Sequence, residues 1–268
     1  MPDLNFKVRP LREVLQADPM SGEGTLVDQI YQLLRGLIVS LALPPEFALV
    51  EQDVADELEV SKTPVREAII RLVREGLVRV VPKSGSYVTP ISLERYLEAC
   101  FVRTQLEVGC IRRLATRGVQ PADEVRLRAQ IAEQRAALSS NDDAAFFACD
   151  EAFHQSLFQL AALPGVWDMM NHAKAEIDRV RHLKRQFGVR QRRLVIEEHE
   201  AIVEAIIARD PVAAEQSLLQ NIGAVEDAIT SISDHPQLLR TIQDLNELVS
   251  LEQRKRGSKA LGKTSSWT

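Results

Sequence analysis

The chain has 268 residues, is 45% hydrophobic and 26% charged, and carries a net charge of −5 at pH 7. That length allows two domains with cores of their own, and the composition excludes a disordered or fibrous chain. No apolar run approaches the roughly 18 residues of a membrane span, and the N-terminus has no secretory pattern, so a cytoplasmic protein without a membrane partner is expected. Cys100, Cys110 and Cys149 are odd in number and lack C-x-x-C spacing, and they read as reduced core residues.

Residues 1–24 hold Pro2, Pro10, Pro19 and a Ser-Gly-Glu-Gly segment, and they read as a mobile arm. A helix follows, with Thr25 as N-cap and Asp28 as its reciprocal partner. Its apolar stripe is Leu26, Ile30, Leu33, Leu34, Leu37, Ile38 and Leu41, and Pro44-Pro45 stops it. A second helix is expected over 51–57. A third follows the Glu59-Val60-Ser61 turn, with Thr63 as cap and Pro64 in the first helical position. Val65, Ile69 and Leu72 face inward there, while Lys62, Thr63, Arg66 and Arg74 project elsewhere. Gly76 ends it. Leu77–Val81 and Ser86–Thr89 read as a two-stranded hairpin around Pro82-Lys83-Ser84-Gly85.

Two short helices, a turn and a basic hairpin form a device for reading DNA. Charge distribution agrees. Residues 61–90 carry Lys62, Arg66, Arg71, Arg74, Arg79 and Lys83 against Glu67 and Glu75, a local balance of +4 in an acidic protein.

From residue 92 onward the pattern is helical. Turn signals divide it into helices over 92–117, 122–138, 142–162, 165–187, 190–209 and 211–233, with a further helical segment over 236–255. Short connections imply an antiparallel bundle. The tail from Arg254 to Thr268 has five basic residues and no acidic ones, and it reads as disordered. The fold class is therefore mostly α. A winged helix-turn-helix over 25–91 is followed by an all-α bundle over 92–235, and 236–268 adds a helix and a basic tail.

Several polar residues sit on apolar stripes of that bundle. Asp150 and His154 lie four apart among Phe147, Phe153, Leu157 and Ala161. His199 shares a face with Ile196, Ile202, Val203 and Ile206, and Asn221 with Leu218, Val225 and Ala228. Arg103 and Glu107 line up with Cys100, Cys110 and Leu114. Burying such groups without partners is costly, so they are expected to meet one another, a metal or a polar ligand. A carboxylate and imidazoles from different helices can form a divalent-metal site. The plainer alternative is a set of satisfied core residues, His154 bonded to Asp150 and His199 to its own partner.

The first segment resembles the winged-helix domain of GntR-family bacterial transcription regulators. The resemblance is carried by Leu43-Pro44-Pro45, Val60-Ser61-Lys62-Thr63-Pro64-Val65-Arg66-Glu67-Ala68, Arg71-Leu72, Glu75-Gly76-Leu77 and Gly85. The second resembles the FCD effector domain of the FadR-type subfamily, through Arg103 and Glu107, the Asp150-Glu-Ala-Phe-His154 block and Glu198-His199. The resemblance implies DNA contacts at Ser61, Lys62, Thr63, Arg66 and Gly85, with Gln52 secondary. It implies a divalent metal, expected to be zinc with nickel or manganese as alternatives, on Asp150, His154 and His199. Asn221 stands where the family's fourth ligand is histidine, and an amide oxygen is the weaker ligand for zinc. It also implies an effector site at Arg103, extended here to Glu107 beside it. Glu46 and Glu59 stand where the family usually has glycine.

The expected function is a homodimeric, effector-responsive regulator acting as a repressor on a palindromic double-stranded operator, with a small organic acid as effector and no enzymatic activity. Two alternatives stay open: a metal-dependent hydrolase fused to a DNA-binding domain, for which no nucleophile is placed, and a regulator whose helical domain only dimerises.

Overall fold

The computed structural model describes residues 9–17, 24–187 and 192–247. The chain falls into two units. One comprises residues to Ser92 together with Asp178–Leu183 and the described residues from His235, and the other comprises Leu93–Ile177 and Lys184–Asp234.

The first unit contains α1 (Leu11–Ala17), α2 (Leu26–Val39), β1 (Ala48–Leu49), α3 (Glu51–Glu57), α4 (Lys62–Arg74), β2 (Val78–Val81) and β3 (Gly85–Val88). Thr25 caps α2 reciprocally. Its hydroxyl accepts from the Asp28 N–H at 3.2 Å, and the Asp28 carboxylate accepts from the Thr25 N–H at 3.0 Å. Ile30, Leu34, Ile38, Val54, Val65, Leu72 and Val88 form the buried interior.

Three local expectations are corrected. The wing is three-stranded in the order β1-β3-β2, both pairs antiparallel, with Ala48 opposite Tyr87 and Val81 opposite Gly85. Two residues are too few to show the alternation that marks a strand, so β1 left no sequence signal. Ser61, not Thr63, is the N-cap of α4, without a side-chain capping bond, which puts Pro64 at the third helical position. Part of the expected mobile arm is helical: Leu11, Val14 and Leu15 have helical spacing, and Val14 and Leu15 are buried. Glu46 and Glu59 take φ of 66° and 55°, a left-handed backbone that favours glycine, here with a side chain present.

This unit also buries charge. Arg35 donates to Glu75 at 3.0 Å and to Asp178 at 2.8 Å, and the Tyr31 hydroxyl donates to Glu75. Arg179 donates to the carbonyls of Thr89 at 2.7 Å and Pro90 at 3.2 Å. A helical stretch over 236–247 buries Leu238, Ile242 and Leu245, and its Asn246 exchanges hydrogen bonds of 2.8 and 3.0 Å with the Ile91 backbone. The rest of the helix expected to 255, and the basic tail, lie outside the described residues.

The second unit is built from α5 (Leu93–Arg117), α6 (Pro121–Ser139), α7 (Asp143–Leu160), α8 (Pro164–Ala173), α10 (Arg192–Ile207), α11 (Pro211–Ile222) and α12 (Val225–Ser233). Residues of α9 (Ala175–Gln186) belong to both units. Two helices expected to be continuous are broken. The 211–233 segment divides at Gly223, whose φ of 78° ends α11, and the 165–187 segment divides at Lys174, whose buried ammonium pairs with Glu151. Ile111, Leu114, Leu127, Phe153, Leu157, Ile202 and Leu218 fill the core, and Phe146 rather than Phe147 is the buried phenylalanine at the start of α7. Among the described residues no helix is long and apolar enough to cross a membrane.

Candidate functional site

Two groups of residues carry chemistry. The first lies on α3, α4 and the wing. Ser61, Lys62, Thr63 and Arg66 are all exposed along the first turns of α4, because Val65, Ala68 and Ile69 take the inward positions. Gln52 is exposed on α3 and bonded to Asp56. Gly85 is exposed at the start of β3 with φ of 133°, a backbone that L side chains rarely adopt. Arg66 is engaged already: Nε lies 3.1 and 3.0 Å from the two Glu51 carboxylate oxygens, and Nη2 donates to one of them at 2.8 Å.

The second group is in the helical unit. Asp150 and His154 on α7 and His199 on α10 are each at most 2% exposed, and one ligand atom from each lies within 4.8 Å of the others. Both imidazoles are oriented from behind. His154 Nδ1 lies 2.8 Å from Glu107 Oε2, and His199 Nδ1 lies 2.8 Å from Gln134 Oε1. Burial opposes ionisation of Glu107, yet the Arg103 guanidinium and His154 hold its carboxyl at about 2. Glu107 is thus an ionised acceptor facing His154 Nδ1. The Gln134 oxygen is placed likewise behind His199. His199 Nε2 faces Asp150 Oδ1 at 3.7 Å in a site screened from water. These three side chains could hold a cation, and an acceptor behind each imidazole is the usual support of a histidine ligand.

Arg103 is buried. Its Nε donates to Glu107 Oε1, and its Nη2 lies 3.4 Å from His154 Nε2. Arg103, Glu107 and His154 are therefore brought together. Asn221 is buried on α11, where its Nδ2 donates to Glu198 Oε2 at 3.0 Å, which leaves the amide oxygen as the other end of that side chain. Gln134 was missed from the sequence, and Glu198 was named only as a carrier of the family resemblance, not as a partner of Asn221. Gln134 follows Leu127 and Ile131 on the inward stripe of α6, and that spacing was its one available signal.

Comparison with known proteins decides the family. A model described as bacterial regulatory proteins, gntR family, matches residues 26–88, and the FCD domain model matches residues 98–224. The HTH-type transcriptional repressor RspR of Escherichia coli K12 is 32% identical over 204 residues, covering 76% of this chain and 89% of that protein. The chain belongs to the GntR family. An HTH-type regulator from an unstable DNA locus of Streptomyces ambofaciens is 36% identical over 213 residues, 79% of this chain and 89% of its own length. The fold of E. coli McbR/YncC matches with a TM-score of 0.66 at 20% identity, covering 80% of this chain and all of that one. The protein is a GntR-type, FCD-containing transcription regulator with DNA as its partner, and not an enzyme.

Proposed function

We propose that this regulator binds a palindromic operator as a homodimer, represses from it, and responds to a small organic acid bound in the helical unit beside a divalent metal. The observation that carries the effector half of this reading is the buried triad of Asp150, His154 and His199 with an acceptor behind each imidazole. Those three side chains would hold the ion, with the Asn221 amide oxygen as a fourth donor. A hard oxygen there in place of imidazole weakens zinc relative to the family pattern and favours ions that accept oxygen, such as manganese. When bound, the ion supplies a positive anchor for a carboxylate. Arg103 supplies a second, since its planar fork matches a carboxylate. Glu107 and Arg103 already form such a pair, so an effector carboxylate would compete with Glu107 for the guanidinium.

Support for repression comes from relatives: one is RspR, and another, 26% identical over 225 residues, is the gluconate operon transcriptional repressor of Bacillus subtilis. On the DNA side, exposed Ser61, Lys62, Thr63 and Arg66 would enter the major groove. Gly85 would let the wing backbone approach the minor groove, and Gln52 would flank them. Two copies would read half-sites about one helical turn apart.

The test combines metal analysis of the purified protein with thermal unfolding in Zn²⁺, Ni²⁺ or Mn²⁺ and a panel of organic acids. Bound metal and a metal-dependent stabilisation by one class of acid are expected. Absence of both would leave the helical unit a dimerisation module without an effector.

A further inference from the structure

We propose that Glu51 is the positioning residue for base readout by Arg66. This rests on the reading of Arg66 as a base-contacting residue. The argument begins with the count of donors. A guanidinium carries five N–H groups in a fixed plane. Glu51 takes the Nε edge: Nε sits 3.1 and 3.0 Å from the two carboxylate oxygens, and Nη2 sits 2.8 Å from one of them. That uses the Nε–H and one N–H of Nη2. The second N–H of Nη2 and both N–H groups of Nη1 remain, and the Nη2 N–H with one of the Nη1 pair forms the outer edge of the fork. Two parallel hydrogen bonds from one edge of an arginine are how guanine O6 and N7 are read in the major groove. The carboxylate therefore grips the edge that readout does not need.

Its anchorage supports the same role. Glu51 is the first residue of α3, where the helix dipole favours a carboxylate, and its side chain is 30% exposed against 61% for Arg66. The acid is the more fixed partner, so it sets where the long arginine points. Charge adds a second effect. Paired with Glu51, Arg66 presents little net charge to phosphate, so the pair contributes less to binding any duplex than a lone arginine would. What it keeps is directional hydrogen bonding. Glu51 thus moves the balance of Arg66 from affinity towards selectivity.

The experiment uses the full-length protein. Wild type selects its preferred sites from a random duplex library. Wild type, Glu51→Gln, Glu51→Ala, Arg66→Ala and the double variant Glu51→Ala/Arg66→Ala are then titrated with the selected site, its single-base variants and an unrelated duplex, across a salt series. Arg66→Ala is expected to flatten preference at one base pair by about 5- to 150-fold, the range of one bidentate pair. Both Glu51 variants are expected to lose about 5-fold or more of preference at that same base pair, while holding or tightening the unrelated duplex. In the double variant, loss of Glu51 adds nothing. Unchanged thermal unfolding checks the fold, because the pair is exposed.

Full base preference retained in Glu51→Gln and Glu51→Ala would overturn the proposal. So would an equal loss of affinity for selected and unrelated DNA, which is the mark of a structural role. If Arg66→Ala itself leaves base preference unchanged, the reading of Arg66 fails and the proposal falls with it. The Arg66→Ala arm thus separates the two failures.

Discussion

Gln134 turns a histidine on an apolar face into an oriented donor. Its oxygen lies 2.8 Å from His199 Nδ1, while the ring's Nε2 faces Asp150. Gln134→Ala should lower divalent-metal affinity by about 10- to 100-fold, the usual effect of removing an outer partner of a ligand histidine. Calorimetric titration with Zn²⁺ and Mn²⁺ checks it, and an unaltered affinity would detach His199 from the ion. Asn221→His should raise affinity for zinc by substituting imidazole for an amide oxygen. The same titration decides it, since no change would place Asn221 outside the coordination sphere. On the DNA side, Arg66→Ala should cost about 1–3 kcal/mol of operator binding and relax base preference. Asp150, His154 and His199 were legible in the sequence because each breaks an otherwise apolar helical stripe. Gln134 was not, nor was Glu198 as a partner of Asn221. A lone polar residue on a stripe names no partner, and the acceptors behind each imidazole come from α5 and α6, far away in the chain.

At the level of elements, α2 was legible to its cap. Thr25→Ala should destabilise the protein by about 1 kcal/mol, measured by urea unfolding. Its partner Asp28 is held at about 2, below the ordinary 3.8, mainly by hydrogen bonds from Thr25 and Arg71. A depressed carboxyl pKa stabilises the fold fully above the unfolded value and loses that contribution as pH falls through the folded one. The α2 capping box should therefore weaken between about 4 and 2, and Asp28→Asn should remove that pH dependence. Periodicity also reported α3, α5, α7, α10 and the hairpin strands. It did not report the breaks at Lys174 and at Gly223-Ala224, because helical spacing continues across one or two non-helical residues. Nor did it report β1, which exists because Leu49 and Ala48 pair with β3. Glu46 and Glu59 were legible as departures from glycine, and both take the positive φ that glycine adopts most easily. Glu59→Gly should relieve a left-handed strain of about 1–2 kcal/mol, partly offset by added freedom in the unfolded chain.

Across the whole molecule, the first unit is wider than the segment from 25 to 91 that carries the DNA-reading pattern. It gathers Asp178–Leu183 and the described residues from His235. Arg35, whose side chain is 15% exposed, is paired with Glu75 beside the end of α4 and with fully buried Asp178. Asp178→Ala should cost about 1–3 kcal/mol in urea unfolding, because Arg35 loses one of its two carboxylate partners and keeps Glu75. A fragment ending at 92 lacks Asp178, Arg179 and Asn246 together, and should unfold at lower urea concentration than the intact chain.

That gathering of three separate stretches bears on inheritance. In a protein whose reader ended at the linker, recombination within the linker would exchange one sensor for another and leave the reader intact. Here a crossover at residue 92 would carry away an aspartate, an arginine and an asparagine that the reader holds by hydrogen bonds. New sensors would join this reader successfully only if they arrived with matching donors and acceptors at those places. Descent of this architecture should then show the two halves changing in step rather than being traded.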